Sequence, residues 1–149
     1  MTIFDQLRAG VSTSSAEESR SLAESLARAL PPDTTLALHG DLGVGKTTFV
    51  QGLARGFGIH ETITSPTFTI YNVHRGPGCT LVHLDAYRLE NPRQIEDLLL
   101  EDFLVSPWCL AVEWPEKIAA ALAPDALHLD LGIDAQQHHT IRLRSELPA

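Results

Sequence analysis

The run Gly40-Asp41-Leu42-Gly43-Val44-Gly45-Lys46-Thr47-Thr48 has the spacing Gly-x4-Gly-Lys-Thr, which suits a cradle for phosphate. Glycines let successive backbone N–H groups converge on phosphate oxygens with no side chain in the way. A helix that starts just beyond them turns its positive end toward the anion. Lys46 would supply a point charge at the terminal phosphates, and the Thr47 hydroxyl stands where Mg2+ would sit. Gly43, Val44, Gly45, Lys46, Thr47 and Thr48 are therefore the predicted nucleotide-binding residues. The bland alternative is a chance glycine turn.

Such a cradle needs an acid at the end of a neighbouring parallel strand, to hold Mg2+ or its water shell. Leu81-Val82-His83-Leu84-Asp85 and Leu110-Ala111-Val112-Glu113 each offer one. Both acids follow an apolar run, at the carboxyl ends of strands where ligands of open α/β sheets gather. One such acid alone reads as well as a helix cap or a turn residue; two of them point to function. Spacing leaves open which acid holds the metal and which handles water.

His83 and Asp85 share a side of their strand, because side chains alternate between faces. The sequence offers them no third ligand, so a zinc site is not expected. His138-His139 reads as a solvated turn. Thr64-Ser65-Pro66-Thr67 lies in a loop after the cradle's helix. Its hydroxyls and rigid proline could order around a γ-phosphate, as switch segments do, or simply turn the chain into a strand. Trp114 is either core or an aromatic of the site. Cys79 and Cys109 show neither metal-ligand spacing nor a disulfide framework, which points to a reducing compartment.

These residues need regular elements to place them. Ser14 or Ser15 caps a helix, with Glu17 or Glu18 three residues on. Leu22, Leu26 and Leu30 form its apolar stripe, and Pro31-Pro32 ends it. Thr34 to His39 reads as a strand, and Lys46 to about Phe57 as the helix behind the cradle, closed by Gly58. Strand character follows from Phe68 to Val73, Gly76-Pro77-Gly78 turns the chain, and Thr80 to Leu84 is an apolar strand leading into Asp85. Asn91-Pro92 opens a helix that carries Ile95, Leu98 and Leu99 inward and runs to about Leu104. Cys109 to Val112 is a buried strand, and Pro115 opens a helix to about Leu122. Leu127 to Leu131 and Thr140 to Leu143 are late strands. Short apolar strands alternating with helices predict an α/β fold of the P-loop NTPase-like kind, a mostly parallel sheet with helices on both faces.

The 149 residues are expected to form a single domain over 1–149. Hydrophobic residues make up 44% of them, which excludes a disordered chain. No run reaches the roughly 18 apolar residues of a membrane helix. Met1-Thr2-Ile3-Phe4-Asp5 lacks the basic and apolar regions of a secretory leader, so a cytoplasmic location is expected. Against 19 Asp and Glu stand 11 Lys and Arg, a formal net charge of −8. That balance argues against a protein that grips nucleic acid through its own surface. Glu90, Glu96, Asp97, Glu101 and Asp102 make the helix after Asn91 a largely acidic face, either solvated, or docking a basic patch on a partner protein, or keeping nucleic acid away from this edge.

Four motifs occur in order: the cradle from Gly40 to Thr48, Thr64-Ser65-Pro66-Thr67-Phe68, His83-Leu84-Asp85-Ala86-Tyr87-Arg88-Leu89, and Glu113-Trp114-Pro115-Glu116. Together they resemble the bacterial TsaE family, also called YjeE, over about residues 15–133. The resemblance implies an ATPase required for N6-threonylcarbamoyladenosine (t6A) at adenosine 37 of tRNAs that read ANN codons. It implies TsaD and TsaB as protein partners, with tRNA met only through them, and TsaC as the source of the threonylcarbamoyl-adenylate. It also implies ATP and Mg2+, with Thr47 and Glu113 as metal ligands and Lys46 and Asp85 as catalytic residues, Asp85 positioning or deprotonating water. Thr64, Ser65, Pro66 and Thr67 would form a switch-like loop near the nucleotide, and Trp114 would lie beside it. Where the family often carries Gly and Arg near the base, this chain has Gln136-Gln137-His138-His139, which leaves the base contacts unassigned.

The main rival is a small-molecule kinase. It would need a lid and an acceptor pocket with several arginines, and only Arg88 and Arg93 lie near the middle motifs. A GTPase of the common class would need Asn-Lys-x-Asp, but Asn72 and Asn91 are followed by Val and Pro. A non-enzymatic assembly module, switched by nucleotide, is not separated by sequence from a slow ATPase.

Overall fold

A computed structural model describes residues 2–41, 43–66, 70–89, 93–96 and 100–144. In chain order the elements are α1 (Ile3–Ala9), β1 (Val11–Thr13), α2 (Ala16–Ala29), β2 (Thr34–His39), α3 (Lys46–Gly56), β3 (Tyr71–Arg75), β4 (Thr80–Asp85), α4 (Arg93–Glu96), β5 (Trp108–Glu113), β6 (Leu127–Ile133) and β7 (His139–Leu143). Short 3-10 segments cover Leu100–Asp102 and Pro115–Ala121.

The strands form one seven-stranded sheet in the order β1-β7-β6-β2-β5-β4-β3. The four central strands, β6, β2, β5 and β4, are parallel neighbours. β3, β7 and β1 add antiparallel edges. Central parallel strands are buried on both faces, which is why β2, β4 and β5 carry apolar centres at Leu36-Ala37-Leu38, Leu81-Val82 and Leu110-Ala111-Val112. On one face Leu36, Leu38, Leu81, Ala111 and Leu129 pack under α1, α2 and α3 through Leu7, Leu26, Phe49 and Leu53. On the other, Val82, Leu84, Leu110 and Val112 meet Leu89, Leu100 and Ile118. Both faces are thus covered, as predicted.

Helix α2 begins where its cap chemistry places it. The Ser15 side chain accepts from Glu18 N at 3.1 Å, and Glu18 Oε2 accepts from Ser14 N at 2.7 Å. Close packing of α2 on α3 depends on Gly52, where an added Cβ would lie 2.3 Å from the Arg20 carbonyl oxygen. Arg55 of α3 ties the same pair together, reaching Glu17 at 2.8 Å and Glu24 at 2.9 Å.

Several expectations need correction. α1 and β1 add to the expected elements: α1 is set by a capping box between Thr2 and Asp5, and β1 pairs with the distant β7. β3 is Tyr71–Arg75, extending past the expected Val73 into its pairing with β4. The helix expected from Pro115 is a 3-10 segment in which Ile118, fully buried, departs to φ −130°. Burial of that side chain in the core overrides regular helix. Of the helix expected from Asn91 to about Leu104, the described residues give α4 at Arg93–Glu96 and a 3-10 turn at Leu100–Asp102. Leu42, Thr67, Phe68, Glu90, Asn91, Pro92, Asp97, Leu98, Leu99 and the side chains of Ile95 and Glu96 lie outside the described residues.

Candidate functional site

The loop between β2 and α3 makes the turn that its glycines permit. Gly45 adopts φ 95° and ψ 25° at the start of α3, a left-handed conformation that costs glycine nothing. It provides no side-chain cap, so the first N–H groups of α3 are left for an external acceptor. Gly43, Gly45, Lys46, Thr47 and Thr48 line a cavity of about 490 Å³ together with Ser65, Asp85, Glu113, Trp114 and His139. Residues from four separate predicted motifs therefore meet in one cleft.

Register brings the acids together. Asp85 of β4 pairs with Glu113 of β5 across parallel strands, and Leu38 of β2 pairs with Glu113 from the other side. Both acids are nearly buried, at 7% and 5% exposed. Thr47 Oγ1 donates to Glu113 Oε2 at 3.4 Å. The Asp85 carboxylate accepts from Tyr87 N at 2.9 Å, which orients it. Burial pushes the Lys46 ammonium below its ordinary pKa, while Glu113, Asp85, Glu116 and Asp41 pull it back upward. The ammonium donates to the Gly40 carbonyl at 2.5 Å and lies 3.9 Å from the Trp114 ring centre.

Trp114 takes φ 57° and ψ 50°, a conformation costing a non-glycine residue roughly 1–2 kcal/mol. Held there, its half-buried ring borders the cleft, against Tyr87 at 5.1 Å. It is both partly packed against the core and part of the site.

The loop predicted to be switch-like is only partly drawn in. Ser65 lines the cleft, Pro66 is buried, and Thr64 is exposed; Thr67 lies outside the described residues. Gln51 of α3 holds the start of this loop, donating to the Ile63 carbonyl at 3.0 Å.

One residue differs from its sequence reading. His139 is not a solvated turn residue: its Nδ1 donates to the Val44 carbonyl at 2.9 Å, bracing the cradle from β7. His138 is exposed, as expected. His83 Nε2 lies 2.5 Å from Glu113 Oε2, in hydrogen-bond contact. Among the described residues no group of three or more His, Cys, Asp or Glu could hold a metal. The donor set at Thr47 and Glu113 instead suits Mg2+, which keeps waters and phosphates as most of its ligands.

The thiols lie at the other end of the sheet. Burial pushes Cys79 up to about 11 and raises Cys109 as well, so neither is a ready nucleophile. No described helix is long and apolar enough to cross a membrane.

A glycine loop between a parallel strand and a helix, with a lysine, a threonine and two strand-end carboxylates around one cleft, defines a P-loop NTPase-like α/β protein. The profile of the family described as "Threonylcarbamoyl adenosine biosynthesis protein TsaE" matches residues 13–143. The chain belongs to the TsaE family.

Proteins named "tRNA threonylcarbamoyladenosine biosynthesis protein TsaE" are similar to it. The one from Synechocystis is 48% identical over 64% of this chain, and the match spans 62% of that relative's length. The one from Streptomyces coelicolor is 43% identical over 74% of this chain and 76% of its own. The crystal structure of Bacillus subtilis YdiB is similar with a TM-score of 0.73 and 32% identity, covering 89% of this chain and 81% of that one.

Proposed function

We propose that the chain is an ATPase of t6A biosynthesis. It binds Mg-ATP in the cleft and hydrolyses it slowly, in the cytoplasm, with TsaD and TsaB as partners. The modification served is that of adenosine 37 in tRNAs that read ANN codons. The observation that supports this most is the convergence of Lys46, Thr47, Asp85 and Glu113 on the uncapped start of α3.

In this reading the cradle amides from Gly43 to Thr48 and the Lys46 ammonium hold the phosphates. The Thr47 hydroxyl and the Glu113 carboxylate hold Mg2+. The metal, when bound, neutralises charge that develops on the phosphate oxygens. Asp85 orients the attacking water and receives its proton. The water oxygen bonds to the γ-phosphorus as the bond to the bridging oxygen breaks, leaving ADP and phosphate. Lys46 stabilises the negative charge that shifts to the leaving oxygen, in a cleft where burial strengthens that attraction.

The net charge of −8 fits a protein that leaves tRNA to its partners. Anionic ATP is held by local groups, not by the overall field. The test is complementation of a strain lacking its TsaE, with tRNA nucleosides analysed. The wild-type chain is expected to restore t6A and Lys46→Ala to fail. Full restoration by Lys46→Ala would contradict the proposal.

A further inference from the structure

His83 is fully buried and stands on β4 two residues before Asp85, opposite Ala111 of β5. The small Ala111 side chain leaves room for the ring beneath the acid pair. Its Nε2 lies 2.5 Å from Glu113 Oε2, the same oxygen that Thr47 meets at 3.4 Å. Its Nδ1 is buried with no hydrogen-bond partner. A buried polar nitrogen without a partner is unfavourable. An apolar side chain would fill the position without that penalty. What histidine adds here is the bond to Glu113.

We infer that His83 is a positioning residue that fixes the Glu113 carboxylate in the orientation a divalent cation requires. With Oε2 tied by His83, the carboxylate cannot turn freely, and Oε1 is left for the cleft that Glu113 lines. Carboxylates that ligate metals are themselves commonly held by an outer hydrogen bond of this kind. The inference rests on the reading of Glu113 as a Mg2+ ligand.

The test uses Mn2+ as a spectroscopic substitute, titrated into the full chain loaded with ADP and read by electron paramagnetic resonance. Wild type is compared with His83→Asn, His83→Gln and Glu113→Gln. Glutamine carries its amide nitrogen near the place of Nε2 and can still donate to Glu113. Asparagine ends near the place of Nδ1 and cannot reach. Mn2+ affinity is expected to fall about 10- to 100-fold in His83→Asn and to stay close to wild type in His83→Gln. ADP affinity in EDTA is expected to be unchanged in both.

A folded His83→Asn with wild-type Mn2+ affinity, beside a Glu113→Gln that has lost it, overturns the role of His83 and leaves Glu113 as a ligand. A Glu113→Gln with wild-type affinity overturns the ligand reading and the inference with it. Thermal unfolding reports whether each variant folds. If His83→Asn does not fold, a folded His83→Gln that has lost Mn2+ affinity overturns the inference, and one that keeps it supports it.

Discussion

The ammonium of Lys46 lies 3.9 Å from the centre of the Trp114 ring, with the Gly40 carbonyl as its hydrogen-bond acceptor. A cation over an indole face is held by about 0.5–2 kcal/mol. This contact parks the lysine inside the cleft at the mouth of the cradle. To hold phosphate, Lys46 must exchange the ring and the carbonyl for phosphate oxygens. The chain carries two tryptophans, and they lie at opposite ends of β5 and its exit, Trp108 and Trp114. Binding of Mg-ADP is therefore expected to change the emission of Trp114 and not that of Trp108. Fluorescence titration of Trp108→Phe should keep the change, and Trp114→Phe should lose it.

The bond from His139 to the Val44 carbonyl braces the cradle from a strand far away in sequence. One hydrogen bond contributes about 0.5–1.5 kcal/mol net, so His139→Ala is expected to weaken ADP binding by roughly 2- to 12-fold. Calorimetric titration checks this. A thermal midpoint near that of wild type would place the effect in the cradle and not in the fold.

Much of this site was legible in the sequence because its parts are local. The cradle is a contiguous run, and its task follows from residue types at fixed offsets. Asp85 and Glu113 were visible because each follows a short, largely apolar run of the kind a buried strand shows, and two such acids together point to function. The contacts of His83 and His139 were not legible, since each depends on register between strands. The bond of His83 to Glu113 exists because β4 and β5 pair with Asp85 opposite Glu113. His139 reaches Val44 only because β7 returns antiparallel beside β6. A pair of adjacent histidines after two glutamines carries no periodic signal to reveal this. The segment after Trp114 misled for another reason: proline at a first helical position predicts a helix, but Ile118 turns into the core.

Gly52 faces the backbone of α2, with an added Cβ 2.3 Å from the Arg20 carbonyl oxygen. Gly52→Ala is expected to force the two helices apart and to destabilise the chain by about 1–3 kcal/mol. Urea unfolding should show a lower midpoint with an unchanged slope.

His39 and His128 stack at 5.1 Å, with Nε2 of one 2.8 Å from Nδ1 of the other. Burial, aided by the Arg144 charge, lowers the pKa of both rings below 6.5, against the opposing pull of Asp130 and, for His39, of Glu116. The unfolded chain takes up these protons at higher pH than the folded chain does. Below pH 6.5 the unfolded state thus binds more protons, and stability falls as pH falls through that value toward the lowered pKa values. Replacing both rings by glutamine should flatten this part of a plot of unfolding free energy against pH. An unchanged slope would remove the pair from the account.

The most direct test of ATP hydrolysis in this cleft is phosphate release from Mg-ATP by the wild-type chain and by Asp85→Asn, each with TsaB and TsaD present. Asparagine keeps the shape of Asp85 but cannot receive a proton from water. Turnover is expected to fall by about 10²- to 10⁴-fold while ATP affinity stays near wild type. Equal turnover in Asp85→Asn would contradict the account.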